Sequence, residues 1–166
     1  MVTAKLLSMT IVALTASNIA LAEERRDPQC QVIPTKEERA ARLQGKDPRV
    51  MEREGYPSDP NVQYQKAKEI GSMRDAWGAI IMVQQRDRRR ADELWRDYWC
   101  TDVLPVFEDR PHIAFETLKA AAGGGLPSAM TRLSEAYAKG EFGQPVDQRL
   151  SAEWKSKHDA AKAARN

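Results

Sequence analysis

The chain has 166 residues, and its 26 lysines and arginines nearly balance its 24 aspartates and glutamates. Such a balance argues against bulk binding to nucleic acid, which depends on many cationic contacts with phosphates. The length suffices for one domain with a modest hydrophobic core.

The N-terminus has the pattern of a secretory signal peptide, residues 1–22. Lys5 precedes an apolar run, and Ala20-Leu21-Ala22 supplies the small residues of a cleavage site. The run spans only about 17 residues and is interrupted by polar side chains, so we favour a signal peptide over a membrane anchor. Glu23 stands where a lipid-anchored export signal needs a cysteine. We therefore expect a periplasmic or secreted protein.

Cleavage after Ala22 would remove one of the 26 basic residues, Lys5, and leave 25 against 24 acidic ones, a net charge of +1. We expect no nucleic-acid partner for such a chain. No later segment is long and apolar enough to span a membrane, so we expect no transmembrane helix in the mature chain.

Cys30 and Cys100 are the two cysteines of the sequence. In an oxidising compartment the default expectation is one disulfide, which would tie the N-terminal arm to a helix end. A redox pair is disfavoured because such pairs usually have the close Cys-x-x-Cys spacing. Two free thiols remain the alternative.

Residues 23–58 are predicted to form an irregular N-terminal arm with one short helix. Thr35 and Glu38 have the spacing of a capping box, which predicts a helix that runs to Gln44. The prolines and the glycine within residues 46–58 predict irregular structure there.

Residues 59–166 are predicted to form the helical domain. Asp59-Pro60 combines a capping residue with a proline in the first turn, and the helix that it begins should end at Gly71. A second capping pattern at Ser72 restarts a helix at once. Residues 73–99 contain no proline or glycine that forces a break near residues 84–87, so the pattern leaves one long helix or two open.

Prolines and glycines divide the rest of the chain. Pro105 is expected to end the preceding region, Pro111 to open a helix that stops at a glycine triplet, and Pro127 to open the next helix. A final helix should start near Asp147 and continue through Trp154. Because no alternating strand pattern occurs, we predict an all-α fold.

Two helical stripes of mostly small residues lie on either side of the glycine triplet. Both follow the offsets i, i+4, i+7, i+8 and i+11: Ala114, Leu118, Ala121, Ala122 and Gly125, then Ala129, Leu133, Ala136, Tyr137 and Gly140. Small side chains let two helices approach closely, and glycine can reverse the chain. The next helix begins around Ser151, 37 residues after Ala114, which approaches the period of stacked helix pairs.

The motif Ala121-Ala122-x-x-Gly125-x-x-x-Ala129-x-x-x-Leu133-x-x-x-Tyr137-x-x-Gly140, with Trp154 beyond it, resembles a Sel-one-like repeat. This family is related to the tetratricopeptide repeat. The resemblance implies a short α-solenoid of antiparallel helix pairs, with its clearest unit at residues 111–154. It also implies protein binding, because proteins with such repeats serve as adaptors, envelope-signalling factors and periplasmic immunity proteins against delivered toxins.

Patterns typical of catalysis and of metal binding are lacking. His112 and His158 have no partners at metal-ligand spacing, and we expect no metal and no cofactor. No nucleophile motif occurs, and the Ser-x-x-Lys of serine β-lactamases is absent, so we assign no catalytic residue. Gly123-Gly124-Gly125 lacks the Lys-Ser/Thr that follows a phosphate-binding loop, which favours a hairpin turn.

Residues 86–90 form the densest basic cluster. Aspartates and glutamates lie within three or four residues on the expected helix: Asp87, Asp92, Glu93 and Asp97. This spacing favours a solvated face of salt bridges. The alternative is an electrostatic contact with an acidic partner or an anionic envelope surface.

The leading hypothesis is a non-catalytic protein that binds another protein, either an envelope factor or a toxin effector. The candidate contacts are Arg88, Arg89, Trp95 and Tyr98 on one helix, with Arg132 and Glu135 on the outer face of another. Most of the tryptophans should nevertheless pack in the core. The alternatives are a hydrolase of cell-wall or β-lactam substrates, as described for some proteins with similar repeats, and a self-associating structural component of the envelope.

Overall fold

A computed structural model describes residues 27–164, so the predicted signal peptide lies outside the described residues. All regular secondary structure of that range is helical, which confirms the all-α prediction. None of these helices has both the length and the apolar character needed to cross a membrane.

The N-terminal segment contains two short helices, α1 (Lys36–Arg42) and α2 (Val50–Glu54). α1 begins with the predicted capping box, in which Thr35 Oγ1 accepts from the Glu38 amide at 3.1 Å and Glu38 accepts from the Thr35 amide at 2.7 Å. The prediction of irregular structure at residues 46–58 is wrong for α2, whose Met51 packs into the core. A helix of five residues is too short to produce a periodic pattern.

Helices α3 (Pro60–Ile70) and α4 (Met73–Gln84) pack against each other and begin at the predicted caps. The sharp turn between them requires Gly71. Its φ of +75° is left-handed, and a Cβ there would lie 2.7 Å from Cδ1 of Leu43.

Residues 73–99 form two helices, because α5 spans Arg88–Tyr98 and a turn separates it from α4. Asp87 fixes the break by accepting a hydrogen bond from the Arg90 amide at 2.9 Å. Aspartate is a common capping residue, but only the structure shows that Asp87 begins a new helix.

Helical structure continues after α5 through a π turn (Trp99–Val103) into the single turn α6 (Leu104–Val106). The chain therefore remains helical one residue past Pro105, where we expected the region to end. In a regular α-helix the proline ring clashes with the carbonyl four residues earlier, and the wider π spacing accommodates Pro105.

The last three helices are α7 (Pro111–Gly123), α8 (Pro127–Lys139) and α9 (Gln148–Ala163), with a 3-10 turn at Glu141–Gly143. α8 packs against α7, α9 and α5. The starts at Pro111 and Pro127 and the cap at Asp147 confirm the predicted boundaries.

The two predicted stripes face the interior. Seven of their members are buried: Ala114, Leu118, Ala121, Ala122, Ala129, Leu133 and Ala136. Tyr137 is half-buried against Phe115, and Gly125 and Gly140 have φ values of +93° and +72°. The helices that carry the two stripes, α7 and α8, also pack against each other, as the small residues predict.

A chain of aromatic rings runs through the core from α4 to α8. Successive centroids lie 5.5 to 6.4 Å apart in the order Trp77, Trp95, Trp99, Phe142, Phe115 and Tyr137. Such edge and tilted contacts stabilise a core beyond the area that they bury. The prediction that most tryptophans pack in the core is confirmed for Trp95 and Trp99, which are fully buried.

Candidate functional site

The first described residues of the N-terminal arm are fixed to the helical core by a disulfide and by a buried ion pair. The disulfide Cys30–Cys100 joins the arm to the π turn, which confirms the predicted pairing. Three residues earlier, buried Asp27 accepts from Nε of Arg132 at 2.5 Å and from Nε1 of Trp99 at 3.2 Å. These attachments hold the residues between Asp27 and Cys30 against the helices, where they form one wall of a groove.

Arg132 is at the centre of this attachment and not on an outer helix face, so that expectation is wrong. Only 4% of the residue is exposed, its guanidinium also pairs with Glu141, and it lies 5.0 Å from the ring centroid of Phe142. Burial alone would lower the pKa of Arg132, but the charges of Asp27 and Glu141 outweigh it and raise that pKa. Arg132 therefore carries a permanent, internally compensated charge.

The groove lies between the arm, α5, α8 and α9 and has a volume of about 550 Å³. Its lining, called here the basic groove, comprises Pro28, Gln29, Asp92, Arg96, Pro127, Ser128, Thr131, His158 and Lys162. Nε2 of Gln29 donates to the carbonyl of Ser128 at 2.7 Å, which closes the arm against the start of α8.

Asp92 is the only carboxylate among the lining residues of the basic groove. Its Oδ1 accepts from the amide of Ser128 at 2.9 Å and from the hydroxyl of Ser128 at 2.8 Å. Asp92 thereby satisfies an amide in the first turn of α8, as an N-cap side chain normally does. Leu126, at the cap position, has no side chain that could accept this hydrogen bond. Two hydrogen bonds and the positive end of the helix dipole together offset the charge of Asp92.

The cationic side chains of the basic groove have fewer partners within the protein than Asp92 has. Arg96 on α5 and Lys162 on α9 are exposed, and neither side chain forms an ion pair with any residue in the range 27–164. His158 lies one helical turn before Lys162, and its Nδ1 lies 3.0 Å from Oδ1 of Asp159. The groove therefore has positive character.

A second basic feature lies at the turn between α4 and α5. Arg86, Arg88 and Arg89, called here the arginine turn, are exposed, and none pairs with an acidic group elsewhere in the described chain. The prediction of a face of salt bridges is therefore wrong at these three positions.

The reason is that the acidic residues expected to neutralise the cluster have other partners. Asp87 caps α5, Asp92 caps α8, and Asp97 accepts from the hydroxyl of Tyr64 at 2.6 Å. Only one pair forms as expected, between Arg90 and Glu93 at 3.0 Å.

The predicted contact residues differ in exposure. Arg88 and Arg89 are exposed. Trp95 and Tyr98, which are 0% and 4% exposed, belong to the core and offer no contact surface in this structure. Glu135 is half-buried, and burial raises the pKa of its carboxyl. Trp95 and Tyr98 belong to the regularly spaced apolar residues of α5, which form its buried face. Arg88 and Arg89 lie on its exposed face.

Arg96, His158 and Lys162, which line the groove, were not among the contact residues predicted from the sequence. The spacing of Asp92 and Arg96 places both on one face of a helix, which is a local signal. No local pattern relates either of them to Lys162, because α9 reaches α5 only through the tertiary fold.

Another buried polar cluster connects α1, α3 and the π turn. Asp102 accepts from Nε of Arg39 at 3.1 Å and from Nζ of Lys68 at 2.5 Å, and Thr101 lies beside it. Burial, followed by hydrogen bonding to Asp97, raises the pKa of the nearby Tyr64. Because every charge here has a partner within the protein, we assign this cluster to stability.

Within residues 27–164, no cluster of three histidine, cysteine or acidic side chains could hold a metal ion. Comparisons with family models, curated proteins and solved structures give no match to this chain. The basic groove and the arginine turn are therefore interpreted from their own chemistry.

Proposed function

We propose that this protein is an exported, non-catalytic helical-repeat protein that binds another protein through a positively charged surface. The observation that carries the proposal is the arginine turn. Among the residues that the structure describes, its three exposed arginines form no ion pair with the acidic side chains close to them in sequence. Unneutralised arginines steer acidic proteins towards a surface and form strong hydrogen bonds with carboxylates.

The helix arrangement supports this interpretation. Consecutive helices α3 and α4, α4 and α5, α7 and α8, and α8 and α9 contact one another, as stacked helix pairs do. The Sel-one-like resemblance of residues 111–154 points in the same direction, because stacked pairs form extended binding surfaces. α9 has the character of the last helix of such a stack. None of its residues is fully buried, and its outer face is polar.

Export is supported by two independent features. The N-terminal pattern is that of a signal peptide. The bond between Cys30 and Cys100 belongs in an oxidising compartment. A periplasmic or secreted adaptor and an immunity protein that neutralises a delivered toxin both fit this location, and each requires a partner with an acidic surface.

The proposal is tested by capture of partners in cells. The tagged full-length protein is expressed in its host, crosslinked, and purified from the exported fraction, beside the variant Arg88→Glu/Arg89→Glu. We expect wild type to capture a specific acidic protein and the variant to lose it, because both substitutions reverse a charge at the contact surface.

The matched control is Lys46→Glu/Arg49→Glu, which makes the same change in charge at two exposed residues before α2. Capture by this control should equal that of wild type. Absence of any specific partner from a folded wild-type sample, or an equal loss in both variants, would refute the proposal.

A further inference from the structure

We infer that the basic groove binds an acidic peptide segment of the partner, with carboxylates directed to Arg96 and Lys162. This inference rests on the proposed function and extends it to a second place on the surface. The arginine turn would attract the partner, and the groove would recognise one of its segments.

The shape of the groove favours a segment over a flat surface. Its volume of about 550 Å³ falls within the range of roughly 300 to 1,000 Å³ of ligand-binding clefts. The arm forms one wall and α9 another, so the cations line a concavity. A membrane presents a broad layer of headgroups and would require a flat or protruding basic face.

The charges of the groove favour an anionic segment. Arg96 and Lys162 come from different helices and have no internal ion-pair partner within residues 27–164, so both are available to a ligand. The one carboxylate of the lining, Asp92, is offset by two hydrogen bonds from Ser128. A cationic segment would meet two exposed positive charges and find this carboxylate already occupied.

The start of α8 adds to the preference. Pro127, Ser128 and Thr131 belong to its first turns and line the groove, so the positive end of the helix dipole faces a bound segment. Their contribution is secondary to the side-chain cations, because Asp92 already uses the amide of Ser128.

The arm wall of the groove depends on the buried ion pair of Asp27 and on the disulfide of Cys30. Pro28 and Gln29 lie between two fixed residues, the buried Asp27 and the disulfide-bonded Cys30. Their position therefore requires little ordering when a ligand binds, which reduces the entropic cost of binding.

The test uses a fluorescein-labelled peptide, Gly-Glu-Asp-Glu-Gly, and its uncharged counterpart, Gly-Gln-Asn-Gln-Gly. Fluorescence anisotropy is measured at low ionic strength with the full exported protein in its oxidised form. We expect the acidic peptide to bind, the uncharged peptide not to bind, and added salt to weaken the complex.

The decisive variant is Arg96→Gln/Lys162→Gln, compared with the control Lys46→Gln/Arg49→Gln. We expect the groove variant to weaken binding of the acidic peptide about tenfold or more and the control to change it less than about twofold. All four residues are exposed, so equal melting temperatures should show that both variants are folded.

Equal effects of the two variants, or no binding of the acidic peptide by wild type, would overturn the inference. Vesicles of phosphatidylglycerol provide the membrane comparison, and binding to them that depends on the groove, without peptide binding, would also overturn it. Capture of a cellular partner that survives Arg96→Gln/Lys162→Gln but not Arg88→Glu/Arg89→Glu would refute the groove alone. Failure of wild type to capture any partner would refute the proposed function instead.

Discussion

Asp27 and Arg132 lie 105 residues apart in the sequence, yet their charged groups meet at 2.5 Å and both side chains are almost completely buried. This pair joins the N-terminal arm to α8. Glu141 gives the same arginine a second partner from the turn that follows α8. Asp27 is therefore anchored in the folded core.

Asp27→Ala should be strongly destabilising because it removes one of the two acidic partners of a buried arginine. We expect the free energy of unfolding to fall by about 3 kcal/mol, as for other buried pairs that lose one partner. Urea unfolding of the oxidised protein measures the change. Asp109→Ala removes an exposed partner of Lys36 and should have a much smaller effect, so equal losses would contradict our description of the arm.

The disulfide should contribute separately to stability. Cys30→Ser/Cys100→Ser opens a loop with a sequence separation of 70 residues, and we expect a loss of up to about 4 kcal/mol. Limited proteolysis should then cut the arm before the helices, because the arm has lost its covalent link to the π turn. An arm that resists cleavage as well as in wild type would show that its non-covalent contacts are sufficient.

Ala129→Leu should destabilise the contact between α7 and α8. Ala129 is completely buried on the stripe of small residues, so the larger side chain should cost about 1 to 3 kcal/mol through overpacking. Thermal unfolding provides the measurement. Ala152→Leu makes the same change at an exposed position of α9 and should leave the melting temperature nearly unchanged.

Glu135 should make stability depend on acid pH. Burial raises the pKa of its carboxyl above the ordinary value of 4.5, and the positive charges of Arg132 and Lys139 only partly oppose this. The folded state then binds more protons between the unfolded and folded pKa values, so stability falls as pH rises through that window.

Glu135→Gln removes this titration and should be more stable than wild type at about pH 7, while the two should converge below about pH 4. Urea unfolding as a function of pH provides the measurement. A difference between the two proteins that is independent of pH would contradict the assignment to Glu135.

Asp92→Asn should separate stability from binding. The amide oxygen can still accept from Ser128, but the interaction with the start of α8 loses its charge, so we expect a loss of about 1 kcal/mol. In the anisotropy experiment the same variant should bind the acidic peptide more tightly, because the basic groove loses its one carboxylate. Weaker binding by a folded variant would contradict the proposed polarity of the groove.

Local patterns were sufficient for most of the helices. The capping residues Asp59, Ser72 and Asp147 act on amides two or three positions away, so their effect is visible within a few letters of sequence. The stripe through Ala129 and Leu133 predicted the buried face of α8 in the same way, because helical spacing alone decides which residues share a face.

Long-range contacts decided the rest. The spacing of Asp92 and Asp97 within α5 predicted salt bridges with nearby arginines, but Ser128 and Tyr64 from other helices bind them instead. Arg132 was expected on the outer face of its helix, but it is buried, and Asp27 compensates its charge through a contact across 105 residues.

The sequence by itself thus determined where most of the helices begin and which faces carry small residues, since hydrogen bonds and side-chain spacing along one helix govern both. Only the tertiary structure decided which charges of the described residues are neutralised within the protein and which stay exposed without an ion pair. The physical reason is that a carboxylate binds the donors that packing brings within about 3 Å, and packing can favour distant residues over near neighbours.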